Sequence, residues 1–331
     1  MKRLSLFLVT LFFAGVTFSQ GNVQYSKGDK TLNDTETAKQ IFKTAPQEIV
    51  ITDFRVEYRM FKGESVSGSK GSELTGTTYK TSASINVWLK DIGKEAMLAH
   101  TNILYDNFIK DLEAKGYKVE TLDADKIRAN KKFNKNKDAL ILSGTTYERT
   151  HKKIVTSITA VPDAVNIVKT EDPSKGVESL SGSMALAAEG AIIAQVLAGR
   201  EVVRVAVTIA IDFFDFEKKG KLGLTKKLSG SPLLHIGGEH PSSVSFLFIN
   251  KKYKFGTYLI GTNGEIFIES EDWAKDMNET KDFSFFGSSL KNYDLNADPA
   301  KYFDGVTTIS STFFNKSIEM YETFINSVKN K

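Results

Sequence analysis

Residues Arg200 to Phe216, REVVRVAVTIAIDFFDF, decide the fold class. Val203, Val205, Val207, Ile209 and Ile211 occupy every second position, which is the period of a β-strand. The alternate positions, Arg204, Ala206, Thr208, Ala210 and Asp212, are small and mixed. A strand with one wet face would be more uniformly polar there, so the pattern predicts a long central strand covered on both sides.

Helices to cover it are legible on either side in sequence. Lys94 to Lys115 sets Met97, Leu104, Phe108 and Leu112 on one face, with Ile103 and Ile109 at its edges, and Gly116 stands where a C-capping glycine belongs. Asp298 and Pro299 open a long terminal helix as N-cap and first residue. Tyr302, Val306, Ile309, Phe313, Met320 and Phe324 form its apolar stripe, widened by Phe303, Phe314, Ile318, Tyr321 and Ile325. So broad a face docks on a sheet. Ser179 to Gly199, rich in Ala and Gly, reads as a third helix, and Asp34 or Thr35 caps a short one ending near Lys43.

Further strands are read at Glu48–Met60, Ala83–Lys90, Tyr117–Leu122, Ala139–Arg149, Val244–Ile249, Tyr253–Ile260 and Glu265–Glu269. In the first, Phe54, Val56 and Tyr58 alternate with Arg55, Glu57 and Arg59, which predicts one wet face. Asp123 caps a short helix to about Ala129. The rest reads as connection: a loop or loose hairpin at Lys62–Ser82, a basic turn at Lys131–Asp138, a long irregular stretch at Thr150–Glu178, a charged turn at Glu217–Lys227, a Gly/Pro loop at Gly230–Pro241 and a short charged piece at Glu271–Lys281. The expected architecture is α+β, a mixed sheet packed by several helices.

The N-terminus reads as an export signal. Lys2 and Arg3 precede an apolar run from Leu4 to Phe18, ended by Ser19, Gln20 and Gly21. That run is shorter than the ~20 residues that span a bilayer core. The organisation expected is a signal peptide over 1–20, a flexible polar leader over 21–33 and a single globular domain over 34–331, with a subdivision near 227. No later stretch reads as a transmembrane helix, because Glu189, Gln195, Arg200, Glu201 and Arg204 interrupt Ala185–Val207.

Composition narrows the function. The 331 residues carry 44 basic and 40 acidic side chains, a net charge of +4 that falls to +2 without Lys2 and Arg3. A field so weak argues against nucleic acid as a partner. The chain has no cysteine, which excludes disulfides, thiol nucleophiles, iron–sulfur clusters, cysteine-liganded zinc and attachment of lipid to an N-terminal cysteine.

The constellations that might carry chemistry are few. His235, Glu239 and His240 lie within six residues of LLHIGGEHP and are all metal-ligand types, but Gly237, Gly238 and Pro241 oppose the helix that the usual zinc spacing needs. A Gly-rich turn is the plainer reading, so no metal or cofactor is assigned. His100 and His151 read as surface or edge residues. The glycine–serine clusters at Gly68–Ser72 and Ser181–Ser183 sit at no strand-to-helix elbow. Asp53, Asp212 and Asp215 lie in strands, and the spacing of the last two sets them on opposite faces, against a paired-carboxylate site. No catalytic residue is assigned. The basic run Lys131–Lys137 reads as a solvated turn, and the apolar Ile154–Thr170 as a loop that folds back or touches a membrane or partner.

The order of elements resembles the curli-secretion channel subunit family of periplasmic α/β outer-membrane assembly domains. A strand ending in TDF (Ile49–Phe54) comes first, then a helix LYDNFIKDLEAKGYKVE running into a strand, then DALILSGTTYE (Asp138–Glu148), then VVRVAVTIAIDFFDFEKKG. The resemblance spans roughly residues 48 to 220. It implies an envelope assembly role. The chain departs from the family in lacking the acylated N-terminal cysteine and any evident pair of long transmembrane hairpins, so a channel is not carried over.

The expectation is therefore an exported protein of the periplasm or outer-membrane periphery, binding or scaffolding other envelope proteins or itself. It is leaning against an enzyme, with peripheral membrane contact through 150–200. A periplasmic hydrolase with a dispersed site, for example His235 and His240 beside Asp212, and a membrane-active oligomer stay open as alternatives.

Overall fold

The computed structural model describes residues 23–25, 29–32, 36–71, 78–151, 155–170, 180–219, 227–237, 242–249, 255–262, 266–268, 272–285 and 288–330. Its first half contains β1 (Val23–Tyr25), β2 (Asp29–Leu32), α1 (Glu36–Phe42), β3 (Glu48–Gly71), β4 (Thr78–Lys90), α2 (Lys94–Ala114), β5 (Lys118–Thr121), α3 (Ala124–Arg128), α4 (Lys131–Lys135), β6 (Leu140–Leu142) and β7 (Thr145–His151). Then follow β8 (Val155–Val161), β9 (Ile167–Lys169), α5 (Leu180–Val196), β10 (Val202–Lys219), β11 (Lys227–Ile236), β12 (Ser243–Ile249), β13 (Phe255–Thr262), β14 (Ile266–Ile268), β15 (Ala274–Phe285), β16 (Ser288–Ala297) and α6 (Pro299–Lys329).

β10 is the central strand its alternation predicts. It runs parallel to β3, from Val203 beside Ile49 to Ile211 beside Tyr58. On its other side it pairs antiparallel with β12 through its first half and with β11 beyond Ile211. The principal sheet is mixed, with helices on both faces, and the fold is α+β. On the front face Val203, Val205, Val207, Ile209 and Ile211 pack with α2 and α6 into the main core. On the back, Val50 and Val202 pack against Ile192, Ile193 and Leu197 of the α5 region in a second, smaller core.

The helices begin and end where their residues dictate. The Asp298 carboxylate accepts from the amides of Ala300 and Lys301, and Asp123 caps α3 likewise. After α2, Gly116 takes φ +86°, its amide donates to the Glu113 carbonyl and that of Tyr117 to Leu112, a double closure that favours glycine there. The α6 stripe docks through aromatic rings: Tyr321 stacks on Phe246 at 3.8 Å, and Phe314 tilts between Phe54 and Phe108. Ile103 of α2, placed by spacing at the edge of the apolar face, is exposed.

Several stretches read as connection are strand. Lys62–Ser82 continues β3 and begins β4, which pair from Phe61 with Trp88 to Gly71 with Thr78. The long irregular stretch from Thr150 holds the end of β7, then β8 and β9; β8 is apolar because it is buried between β3 and β7. Within Gly230–Pro241, residues up to Ile236 belong to β11: Gly230 lets the Phe214 ring approach, and Pro232 lies beside a bulge, where its missing N–H breaks no ladder. Glu271–Lys281 runs into β15, and β1 and β2 lie in the expected leader, paired to β14 and β13. The basic turn at Lys131 is the short helix α4, capped by Asn130. In β3, β4, β11 and β15 polar or glycine-rich strand residues lack the local apolar alternation that marks a strand.

His100 is not a surface residue. It is buried, its Nδ1 meeting the Tyr58 hydroxyl at 3.2 Å and its Nε2 the Thr307 hydroxyl at 2.9 Å, so it ties α2 to β3 and α6. Burial, partly opposed by the Phe303 carbonyl, lowers its pKa to about 4. The unfolded chain takes up this proton near pH 6.5 and the folded chain does not. Stability is therefore lost as pH falls from about 6.5 to about 4, by up to about 3 kcal/mol, and changes no further below that. His100→Gln is expected to flatten this part of the profile, read by urea unfolding between pH 7 and 4; an unchanged slope would refute the assignment.

Candidate functional site

The polar residues of β3 gather on the back of the sheet. Because Phe54, Val56 and Tyr58 point into the main core, Arg55, Glu57 and Arg59 project oppositely. Sequence predicts that face to be wet, but Glu57 is 8% and Arg59 2% exposed. The back is covered, and its charges must find partners.

Asp212 of β10 is the centre of one group. Its Oδ2 accepts from Arg59 Nη1 at 2.6 Å and Lys62 Nζ at 2.9 Å, and its Oδ1 from the amide of Phe213 at 2.9 Å. His235, directly opposite on β11, brings Nε2 to 3.7 Å of the same Oδ2. Burial alone would raise the Asp212 pKa, but Arg59 foremost, then His235 and Lys62, hold it well below the usual carboxylate range. Its stabilising effect is thus fully present above its ordinary value of 3.8 and is lost as pH falls below that. Two irregularities coincide here, one in β3 between Arg59 and Phe61 and one in β10 between Asp212 and Phe214. They let Lys62 also reach the Phe214 carbonyl, at 2.6 Å.

A second group lies nearer α5. Arg55 pairs with Asp53 at 2.9 Å, Lys169 with Glu189 at 3.2 Å, and Arg204 Nε donates to the Thr52 hydroxyl at 2.7 Å. Between the groups the Ser157 hydroxyl donates to Glu57 at 2.8 Å. Not every donor is served: Arg55 Nε, Arg59 Nε and Nη2, Arg149 Nε and the Thr159 hydroxyl are buried with no hydrogen-bond partner.

His235 does stand beside Asp212, as the hydrolase alternative requires. Both carboxylate oxygens are already engaged by cations or an amide, so Asp212 is no free base. Glu239 and His240 lie outside the described residues, the glycine–serine cluster at 181–183 falls within α5, and that at 68–72 falls at the end of β3 with Ser72 outside the described residues. Asp215 is exposed and apart from Asp212. Among the described residues no group of three His, Asp or Glu side chains could hold a metal ion. A cleft of about 270 Å³ elsewhere, between the α2–β5 turn and the end of α6, is lined by Lys115, Tyr117, Glu322, Asn326 and Lys329, and there the Tyr117 hydroxyl donates to Glu322.

Arg59, Lys62, Arg149 and Ser157 were not singled out from sequence. For Arg59 the signal was the run Asp53, Arg55, Glu57, Arg59, with charges of alternating sign two residues apart; Lys62, Arg149 and Ser157 join through strand register. The chain matches no protein-family model, no curated protein and no solved structure.

Asp212→Asn is expected to destabilise the protein by about 3–5 kcal/mol at neutral pH, since it strips the buried Arg59 and the part-buried Lys62 of their counter-charge. Replacing the pair together, Arg59→Met with Asp212→Leu, is expected to recover most of that loss. Urea unfolding reads both, and a single-variant loss under about 1 kcal/mol would show that the ion pair does not organise this face.

Proposed function

We propose that the protein is an exported component of the cell envelope that binds or scaffolds other proteins, without catalysing a reaction. One observation carries the reading. β15 is a twelve-residue strand that pairs with β16 along one edge, while its residues from Lys275 to Ser284 are exposed. Met277 and Phe283 are 40% and 51% exposed. A strand that contributes so little to a core while its second edge is unpaired among the described residues is a surface for another chain. The apolar N-terminal run supports export.

A second reading, a membrane-active oligomer, draws on the hairpins. Among the described residues, β3 beyond Lys62 pairs only with β4, which continues the sheet to β16 and β15, and β10 beyond Asp212 pairs only with β11, so the sheet divides into two branches in the same region. The resemblance to the curli-secretion channel subunit family belongs with this reading and remains part of the proposal. No described helix is long and apolar enough to cross a membrane, which says nothing of strands. Because β8 is buried, contact through 150–200 would fall to the rest of that span.

Fractionation of the host cell followed by size-exclusion chromatography tests the reading. Recovery from the envelope as a defined complex is expected, and the double substitution Met277→Glu, Phe283→Glu is expected to release a folded, smaller species. Recovery as a monomer with no bound protein, unaffected by the substitutions, would defeat it.

A further inference from the structure

We propose that Arg59 and Arg149 hold a small oxyanion, a carboxylate or a phosphate, over Ser157 on the back of the sheet. The register brings these three together: Arg59 on β3 lies opposite Ser157 on β8, and Ser157 lies opposite Arg149 on the edge strand β7. Glu57, Thr159 and Tyr147 form the next row on the same face. Strands in a sheet stand about 4.8 Å apart, so the two arginine backbones are about 10 Å apart. Arg59 directs Nη1 to Asp212 on β10, on the far side of β3 from Ser157, so Nε and Nη2 are the Arg59 donors left to meet an oxyanion shared with Arg149.

Two observations ask for a negative ligand there. The first is the unmet donors. Arg59 uses Nη1 on Asp212 and leaves Nε and Nη2 buried without acceptors; Arg149 Nε and the Thr159 hydroxyl, one row away, are in the same condition. Buried donors of this kind destabilise the fold when nothing meets them. The second is charge. Among these described residues the cations Arg59, Lys62 and Arg149 stand against the carboxylates of Asp212 and Glu57, leaving one positive charge over. Water would satisfy the donors but not the charge, whereas an oxyanion satisfies both. Arg149 is only half-buried, and among the described residues β7 pairs with β8 alone, so its other edge is the way in.

The purified chain is titrated with sodium phosphate and, separately, sodium acetate, by calorimetry and thermal unfolding, against sodium chloride at equal ionic strength. Saturable binding of at least one is expected; response to phosphate alone assigns a phosphoryl group, and to acetate alone a carboxylate. Arg149→Gln is expected to weaken binding at least tenfold and Arg149→Lys severalfold, while Lys137→Gln, on an exposed turn, changes nothing. A readout on the unaltered chain removes dependence on how the variants fold. Modification of Arg149 by phenylglyoxal, mapped by mass spectrometry, is expected to slow in the binding anion and not in chloride. No saturable binding of either anion, full binding by folded Arg149→Gln, or no protection of Arg149 would overturn the proposal.

Discussion

An ionised carboxylate buried in a sheet must be surrounded by donors, and Asp212 constrains the structure around it for that reason. Arg59, Lys62, His235 and the Phe213 amide come from three strands, β3, β10 and β11, whose relative register is set where they converge on it. The two irregularities at this level follow from the same demand. An uninterrupted β3 would send Lys62 toward the helical face with Tyr58, and the extra residue after Arg59 turns it back. The sheet divides just beyond, with β3 continuing beside β4 and β10 beside β11.

The two faces of the sheet are stabilised differently. The front is an apolar interface in which α2 and α6 bury aromatic rings, and there the polar chain Tyr58–His100–Thr307 is closed by hydrogen bonds. The back mixes a small apolar core near Val50 and Val202 with pairs of opposite charge. Such pairs contribute less to stability than packed aliphatic residues of equal volume. What they add is geometry, since each fixes one strand's position against the next.

The exposed β15 and the buried charge cluster lie in different parts of the sheet. β15 stands at its margin beyond β16 and β4, while Asp212 lies at its centre. The margin carries exposed side chains along β15, whereas the centre buries its charges among three strands.

Much of this was legible in the sequence. The period of two in Val203–Ile211, the caps at Asp298, Asp123 and Gly116, and the apolar stripe of α6 each follow from the geometry of a single segment, so local order determines them. The alternation of Asp53, Arg55, Glu57 and Arg59 with apolar residues likewise determined that these charges share a face. Only the tertiary structure decided that this face is covered, because burial depends on what packs from elsewhere in the chain. The same holds for β8, apolar through being enclosed, for the glycine- and serine-rich ribbons, whose strand pairing comes from partners, and for His100, whose neighbours are 42 and 207 residues away. Asp212, His235, Arg59 and Arg149 meet through strand register, a property of pairs of segments that no one segment encodes.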